Sequence, residues 1–221
     1  KRKQRSKSYF SWKHDIILCY TKGEESIFNI DAVRVPYKET SGYAQSGITS
    51  AAGKKYSPNP LGTPVDDVWD IPIINPLSKE RLGYPTQKPE ALLERIIKAS
   101  ANDGDWVLDP FCGCGTTISV AERLDRKWIG IDITTLAINL VKKRLRDQYP
   151  DRQGMQVYVD GLPKDLAGAR ALFKKNPFEF EYWALDLVEA TPSQSKSRDN
   201  MRGADKGIDG IITFITGIKN E

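Results

Sequence analysis

The stretch Trp106-Val-Leu-Asp-Pro-Phe-Cys-Gly-Cys-Gly-Thr116 constrains the fold of this chain more than any other. An apolar strand runs into Asp109, Pro110 ends it, and Gly113 and Gly115 form a tight loop before a helical run. A second apolar strand, Trp128-Ile-Gly-Ile131, ends in a second acid, Asp132. A strand, a glycine-rich turn, a helix and a strand with a terminal carboxylate together make an arrangement that holds nucleotide-like ligands.

The chemistry of the turn narrows the ligand. Glycines take positive φ without penalty and let the backbone approach closely. Asp132 lies about twenty residues past the turn, where a carboxylate can accept both ribose hydroxyls. A dinucleotide site wants a small residue three positions after the second glycine; Ile118 stands there and is expected to crowd a pyrophosphate. A phosphate-binding loop of the Gly-Lys-Ser/Thr kind is absent too, because the loop reads Gly115-Thr116-Thr117. An adenosine ribose without polyphosphate fits, and S-adenosylmethionine is the candidate. The plainer alternative is a strand–helix–strand turn whose glycines serve packing alone.

Periodicity places the supporting elements. A helix is expected from Lys88-Pro89-Glu90, with proline at its first position and Leu92, Leu93, Ile96 and Ile97 as its apolar stripe. Further helices are expected over 117–124, with Ile118, Ala121 and Leu124 on one face, and around Leu136, Leu140, Val141 and Leu145. Ile16 to Tyr20 reads as a short buried strand. The expected class is α/β, a doubly wound sheet with helices on its faces. From about 30 to 77, six prolines and several glycines argue for loop-rich structure. Within it Tyr37, Tyr43 and Tyr56 interleave with Lys38, Lys54 and Lys55, a composition suited to base stacking and phosphate contact; an ordinary long connection is the alternative.

Asp109-Pro-Phe-Cys-Gly-Cys-Gly-Thr-Thr117 resembles the cofactor motif of the amino-group DNA methyltransferases, which modify adenine N6 or cytosine N4. Tyr84-Pro-Thr-Gln-Lys-Pro-Glu90 resembles the segment that precedes that motif in the family, and His14-Asp-Ile-Ile-Leu-Cys-Tyr-Thr-Lys22 the strand after its catalytic region. The order resembles the permuted, beta class. The resemblance implies a Rossmann-like S-adenosylmethionine-dependent methyltransferase fold, present in part. It implies a cofactor site at Asp109, Phe111, Cys112, Gly113, Gly115, Thr116 and Asp132, with Thr86 and Lys88 near the methionine end. It implies double-stranded DNA as partner, a restriction-modification role and a cytoplasmic setting in a prokaryote or phage. An RNA or small-molecule methyltransferase, or a non-enzymatic DNA-binding module, remains open beside it.

The family's catalytic signature, Asp/Asn/Ser-Pro-Pro-aromatic, is missing: no Pro-Pro pair occurs in the 221 residues. Asn59-Pro-Leu61, Asn75-Pro-Leu77 and Asn176-Pro-Phe178 each fail the pattern. In the permuted order that motif belongs before His14, so the chain is expected to be a fragment cut at both ends, with no catalytic residue of its own.

Composition fits this picture, with 39% hydrophobic and 28% charged residues and a formal net charge of +4. That suffices for one core plus part of another, and no apolar run approaches the roughly 18 residues of a membrane helix. The basic run Lys1 to Lys7 suits phosphates or a solvated end equally. Three cysteines with His14 as the single histidine make a metal site at Cys112 and Cys114 a poor expectation against simple small-residue packing.

Expected domains are 1–80, with the DNA-recognition region; 81–150, the cofactor half; and 165–221. In the last, 177–188 reads as a helix with Phe180, Trp183, Ala184 and Leu187 inward, and Gly203 to Phe214 as a turn running into a strand. This tail resembles the opening of an Mrr-like, restriction-endonuclease-like nuclease domain. The resemblance implies Glu181 and Asp209 as carboxylate ligands for Mg²⁺ once such a domain is complete.

Overall fold

The computed structural model describes residues 14–150, 157–192 and 208–212. Its elements are a 3-10 turn at Ile30–Val33, helix α1 (Gly42–Ser46) and the hairpin strands β1 (Ile48–Thr49) and β2 (Lys55–Tyr56). There follow α2 (Glu90–Ser100), β3 (Trp106–Asp109), α3 (Thr116–Arg123), β4 (Lys127–Gly130) and α4 (Thr135–Gln148). The chain continues through α5 (Leu166–Lys175), α6 (Pro177–Leu187), β5 (Thr191–Pro192) and β6 (Gly210–Ile211).

The centre is the β3–α3–β4 unit. β3 and β4 run parallel, with Trp106 opposite Lys127 and Asp109 opposite Gly130. Parallel neighbours need a crossover, and α3 supplies it. Side chains alternate across a strand, and here only one face is covered. Val107 and Trp128 point to the helices, whereas Trp106, Leu108 and Ile129 stay exposed. Lys127 Nζ sits 5.7 Å from the centre of the Trp106 ring across the pair. The doubly wound sheet expected above is therefore corrected, among the described residues, to a two-stranded parallel unit covered on one side.

Two apolar clusters hold this unit. Ile97, Ala101, Val120 and Ala121 join α2 to α3, and Cys112, Ile118, Val141 and Leu145 join the glycine loop and α3 to α4. α2 begins one residue later than expected, with Pro89 as its N-cap. The expected buried strand at Ile16 to Tyr20 does not form: these residues are irregular, and Ile16, Leu18 and Tyr20 are 70%, 69% and 85% exposed. A strand exists only where a ladder partner satisfies its backbone, and none pairs with this run among the described residues.

The stretch expected to be loop-rich, about 30 to 77, holds only the 3-10 turn, α1 and the β1–β2 hairpin as regular elements, and it is tied down along its length. Asn29 donates from its backbone to the Ala99 carbonyl at 2.8 Å and from Nδ2 to the Lys98 carbonyl at 3.3 Å, satisfying orphan carbonyls at the end of α2. Val35 bridges Thr63, and Arg95 stacks over Trp69 at 5.1 Å. Three Asn-Pro-X triplets that fail the catalytic pattern have one shared role. Asn59, Asn75 and Asn176 each accept from the backbone N–H two residues on, at 2.9, 2.9 and 3.2 Å. Proline between them presets φ for this turn.

Beyond 157 the chain packs back onto α4. α6 is capped by Asn176, and its Phe180 meets Phe173 of α5 edge-on at 5.3 Å. Glu179 Oε2 accepts from the Thr135 N–H at 2.7 Å, Asn139 donates to the Tyr182 carbonyl at 2.9 Å, and Lys142 pairs with Asp186. Leu187, expected inward, is 63% exposed, because α6 turns its polar Glu179 and Asp186 toward α4. A carboxylate at a helix N-terminus satisfies an orphan N–H and meets the positive end of the helix dipole. Glu179→Ala is expected to cost about 1 kcal/mol, read as a lower denaturant midpoint with an unchanged slope; an unchanged midpoint would remove Glu179 from the docking of α6.

Candidate functional site

At the carboxyl end of β3 a cleft of about 240 Å³ opens between the 84–88 segment and the loop 109–117. Thr86, Lys88, Asp109, Phe111, Cys112, Gly113 and Thr116, all expected at the site, line it. A larger groove of about 320 Å³ lies between α2 and β3, but its walls are mostly apolar. Polar groups converge at the smaller cleft, which also sits where open α/β sheets place ligands.

The loop is built from its backbone outward. Asp109 Oδ1 accepts from the Phe111 N–H at 3.1 Å, the same turn as at the asparagines. The Cys112 N–H donates to the Ile131 carbonyl at 2.9 Å, stitching the loop to the strand end. Gly113 has φ of 48°, and a Cβ there would stand 3.0 Å from the Tyr84 ring. Gly115, the N-cap of α3, has φ of 75°, and its Cβ would meet Val141 Cγ2 at 2.7 Å. Both positions thus demand glycine for conformation and for space.

Asp132 holds the loop rather than facing empty space. Its Oδ2 accepts from the Gly113 N–H at 3.0 Å, and its Oδ1 accepts from the Thr134 N–H and Oγ1 at 3.0 and 2.9 Å. Thr134 Oγ1 in turn accepts from the Ala137 N–H and caps α4. A carboxylate has about four acceptor sites, and three are occupied by this clamp. Asp132 and Gly115 do not line the cleft themselves, although Asp132 is bonded to Gly113, which does.

Three residues make contacts that the sequence pattern does not show. Ile118 is fully buried against Gly130, Cys112, Val141 and Leu145, so it holds helix off strand and does not crowd a phosphate. Ile118 thus keeps α3 further from β4 than a dinucleotide site does, where a third glycine serves close helix–strand packing. Lys88 is largely exposed and pairs with Asp15 at 3.4 Å. Thr116 is buried and accepts from Arg144 at 3.2 Å, so its hydroxyl faces the core. Phe111, in contrast, is 86% exposed at the rim.

The residues missed by sequence reasoning are Tyr84 and Arg144. The Tyr84 ring forms the wall opposite Gly113, and burial, helped by the Asp132 charge, raises its phenol above the ordinary value. Its signal was its place in the quoted Tyr84-Pro-Thr motif. Arg144 is buried on α4, and its signal was spacing: it lies three residues after Val141 and seven after Ala137, on the inward stripe.

Burial, assisted by Asp132 and Asp109, pushes the Cys112 thiol up to about 11, and burial also raises Cys114. Neutral buried thiols are poor metal ligands and slow nucleophiles. The folded state retains the Cys112 proton that the unfolded chain releases near pH 9. Its contribution to stability is therefore complete below about pH 9 and lost as pH rises toward 11. Cys112→Ala is expected to flatten that alkaline limb of a stability–pH curve; an identical slope in both proteins would refute the assignment.

Glu181 lies on α6, and Asp209 precedes β6. A Cβ on Gly210 would stand 2.5 Å from Leu185 Cδ2, one turn along α6 from Glu181. No group of three or more His, Cys, Asp or Glu side chains suited to a metal occurs among the described residues. No helix among them is long and apolar enough to cross a membrane.

A parallel strand–helix–strand unit with a glycine cradle at its carboxyl end and an acid after the second strand defines an α/β protein built for a nucleotide-type ligand. The chain belongs to the DNA methylase family of N6/N4 methyltransferases, which matches residues 1–143. It is 38% identical over 159 residues to the Type II methyltransferase M.HpaI of Haemophilus parainfluenzae, covering 72% of this chain and 46% of that protein. It is 39% identical over 142 residues to M1.MboII of Moraxella bovis (61% and 54% covered). It is also 39% identical over 142 residues to the DNA adenine methyltransferase YhdJ of Escherichia coli strain K12 (64% and 47% covered). The chain spans about half the length of these relatives.

Proposed function

We propose that this chain supplies the methyl-donor half of a DNA amino-methyltransferase acting in restriction-modification. Its cleft takes S-adenosylmethionine, which supplies the methyl group. The observation that carries this reading is the cradle of Gly113 and Gly115 at positive φ, clamped by Asp132 and faced by Tyr84. Around that ligand the chain's own residues have separate tasks. Asp132 presents its remaining acceptor capacity to the ribose edge, the loop backbone allows close approach, and Phe111 offers an apolar rim. Lys88 is within the lining and exchanges Asp15 for the donor's carboxylate.

The acceptor is an adenine N6 or cytosine N4 amino group in double-stranded DNA, extruded from the helix. The groups that would grip it follow the Asp/Asn/Ser-Pro-Pro-aromatic pattern, which this sequence does not contain. The 34–83 region approaches DNA through exposed Tyr56 and the lysines around it, since Lys54 Nζ sits 5.2 Å over that ring. Tyr37 and Tyr43 serve the segment's own packing, edge-on at 5.7 Å and each hydrogen-bonded to backbone. The 165–221 segment is the opening of a nuclease-like domain. Glu181 and Asp209 alone are a sparse set for Mg²⁺, which takes one or two carboxylates only when waters and a phosphate complete its shell.

Calorimetric titration of the folded chain with S-adenosylmethionine tests the proposal, with NAD and ATP as controls. Saturable heat with the first and none with the others is expected. Equal binding of all three, or of none, would sink the reading. Duplex DNA binding that weakens steeply with salt separates DNA from a small-molecule acceptor.

A further inference from the structure

Arg144 is only 3% exposed, and its guanidinium reaches three groups in two parts of the molecule at once. One nitrogen donates to Thr116 Oγ1 at 3.2 Å and to the Cys114 carbonyl at 3.5 Å, both in the glycine loop. The other pairs with Glu90 Oε1. Glu90 is the first residue of α2 and directly follows the 84–89 wall of the cleft. Glu90 is itself held on several sides: its N–H donates to Glu80 Oε1 at 2.7 Å, Gln148 Nε2 donates to its Oε1 at 3.1 Å, and Arg123 lies 3.6 Å from its Oε2. One buried guanidinium on α4 therefore spans from the floor of one wall to the root of the other.

A buried charge is costly unless paired and hydrogen-bonded, so its partners must stay where they are. Arginine presents its donors in a rigid fork, here from two separate nitrogens, whereas lysine offers a single nitrogen on a flexible stem. We propose that Arg144 is a positioning residue that sets the separation between the glycine loop and the 84–89 wall, and through it the fit of the methyl donor. The second clause rests on the donor-binding reading above; the first does not. Arg144 does not line the cleft and acts through Thr116 and Glu90.

The loop carries its own reporters. Cys112 and Cys114 are 6% and 3% exposed, whereas Cys19 is exposed, so per-residue alkylation with N-ethylmaleimide reads loop opening against an internal standard. The chain is compared as native, Arg144→Lys, Arg144→Met and Glu90→Gln, with Ile97→Ala as a control of similar overall destabilisation in the other cluster. Losing a charge-assisted bond of about 1.5–3 kcal/mol is expected to speed labelling at Cys112 and Cys114, relative to Cys19, by about 10- to 100-fold. Arg144→Lys falls between native and Arg144→Met, and Ile97→Ala labels like native. S-adenosylmethionine affinity falls in step.

Loop labelling in the Arg144 variants no faster than in Ile97→Ala would overturn the proposal. If Arg144→Met does not fold, Arg144→Lys and Glu90→Gln carry the same comparison. If loop labelling rises but the native chain binds no S-adenosylmethionine, the donor-binding reading fails while the positioning role stands.

Discussion

Ile118→Ala is expected to lower the unfolding free energy by about 2–5 kcal/mol, the largest loss for any single side chain in the unit. Ile118 is fully buried, and its Cδ1 would lie 2.9 Å from a Cβ at Gly130, so it fills the space between α3 and β4 without slack. Cys112, Val141 and Leu145 surround it on the remaining sides. Truncation leaves a cavity bounded by two backbone elements and a helix, which cannot collapse without breaking the β3–β4 ladder. Ile118→Val, which removes one methylene, is expected to cost only about 0.5–1.5 kcal/mol. Denaturant unfolding of both variants measures this. A loss below about 1 kcal/mol for Ile118→Ala would mean that the residue is not the helix–strand spacer described above.

Asp132→Ala is expected to have the largest effect on ligand binding, weakening S-adenosylmethionine by about a hundredfold or more. Loss of a single hydrogen bond to a charged group costs about 1.5–3 kcal/mol, and this carboxylate accepts three before any ligand arrives. The substitution acts twice: it removes the carboxylate proposed above as ribose partner, and it frees the Gly113 N–H and the Thr134 cap. Asp132→Asn separates the two effects. Its amide oxygen can still accept from Gly113 or Thr134, so stability is expected to recover more than affinity does. Calorimetry and thermal unfolding on the three proteins give the comparison. Unchanged affinity in Asp132→Ala would place the donor elsewhere.

These two residues show how far local pattern reaches. Asp132 was legible because a strand followed by an acid at a set distance from a glycine turn has few uses. What it does to Gly113 was not, because a hydrogen bond between residues 113 and 132 depends on the parallel pairing of two strands. The apolar face carrying Ile118, Ala121 and Leu124 is legible in the sequence and turns into the core as expected; what Ile118 packs against is not legible there. Which side of α3 faces β4 follows from packing against Gly130, which lies beyond the helix in sequence. Arg144 was passed over because charged helical residues are usually solvated, and its partners at 90, 114 and 116 come together only in three dimensions.

The reverse failure occurs at Ile16 to Tyr20 and at Leu187. Apolar composition there suggested burial, but burial needs a neighbour, and composition carries no information about one. α5 passed unrecognised, although Asp165 caps it through the Gly168 N–H at 2.7 Å and Leu166, Ala169 and Phe173 recur at helical spacing. The Asp165-to-Gly168 cap is a local signal, contained within four residues.

The sequence by itself determined the glycine turn, the strands on either side of it, the helices that flank them and the family to which they point, because each depends on backbone preference and periodicity within a few residues. Only the tertiary structure decided that Asp132 clamps the loop, that Ile118 spaces helix from strand, and that Arg144 joins the two walls of the cleft. Those roles arise from contacts between residues 12 to 54 positions apart. Such contacts exist only once the parallel ladder and the buried faces of α2, α3 and α4 have set where each side chain can reach.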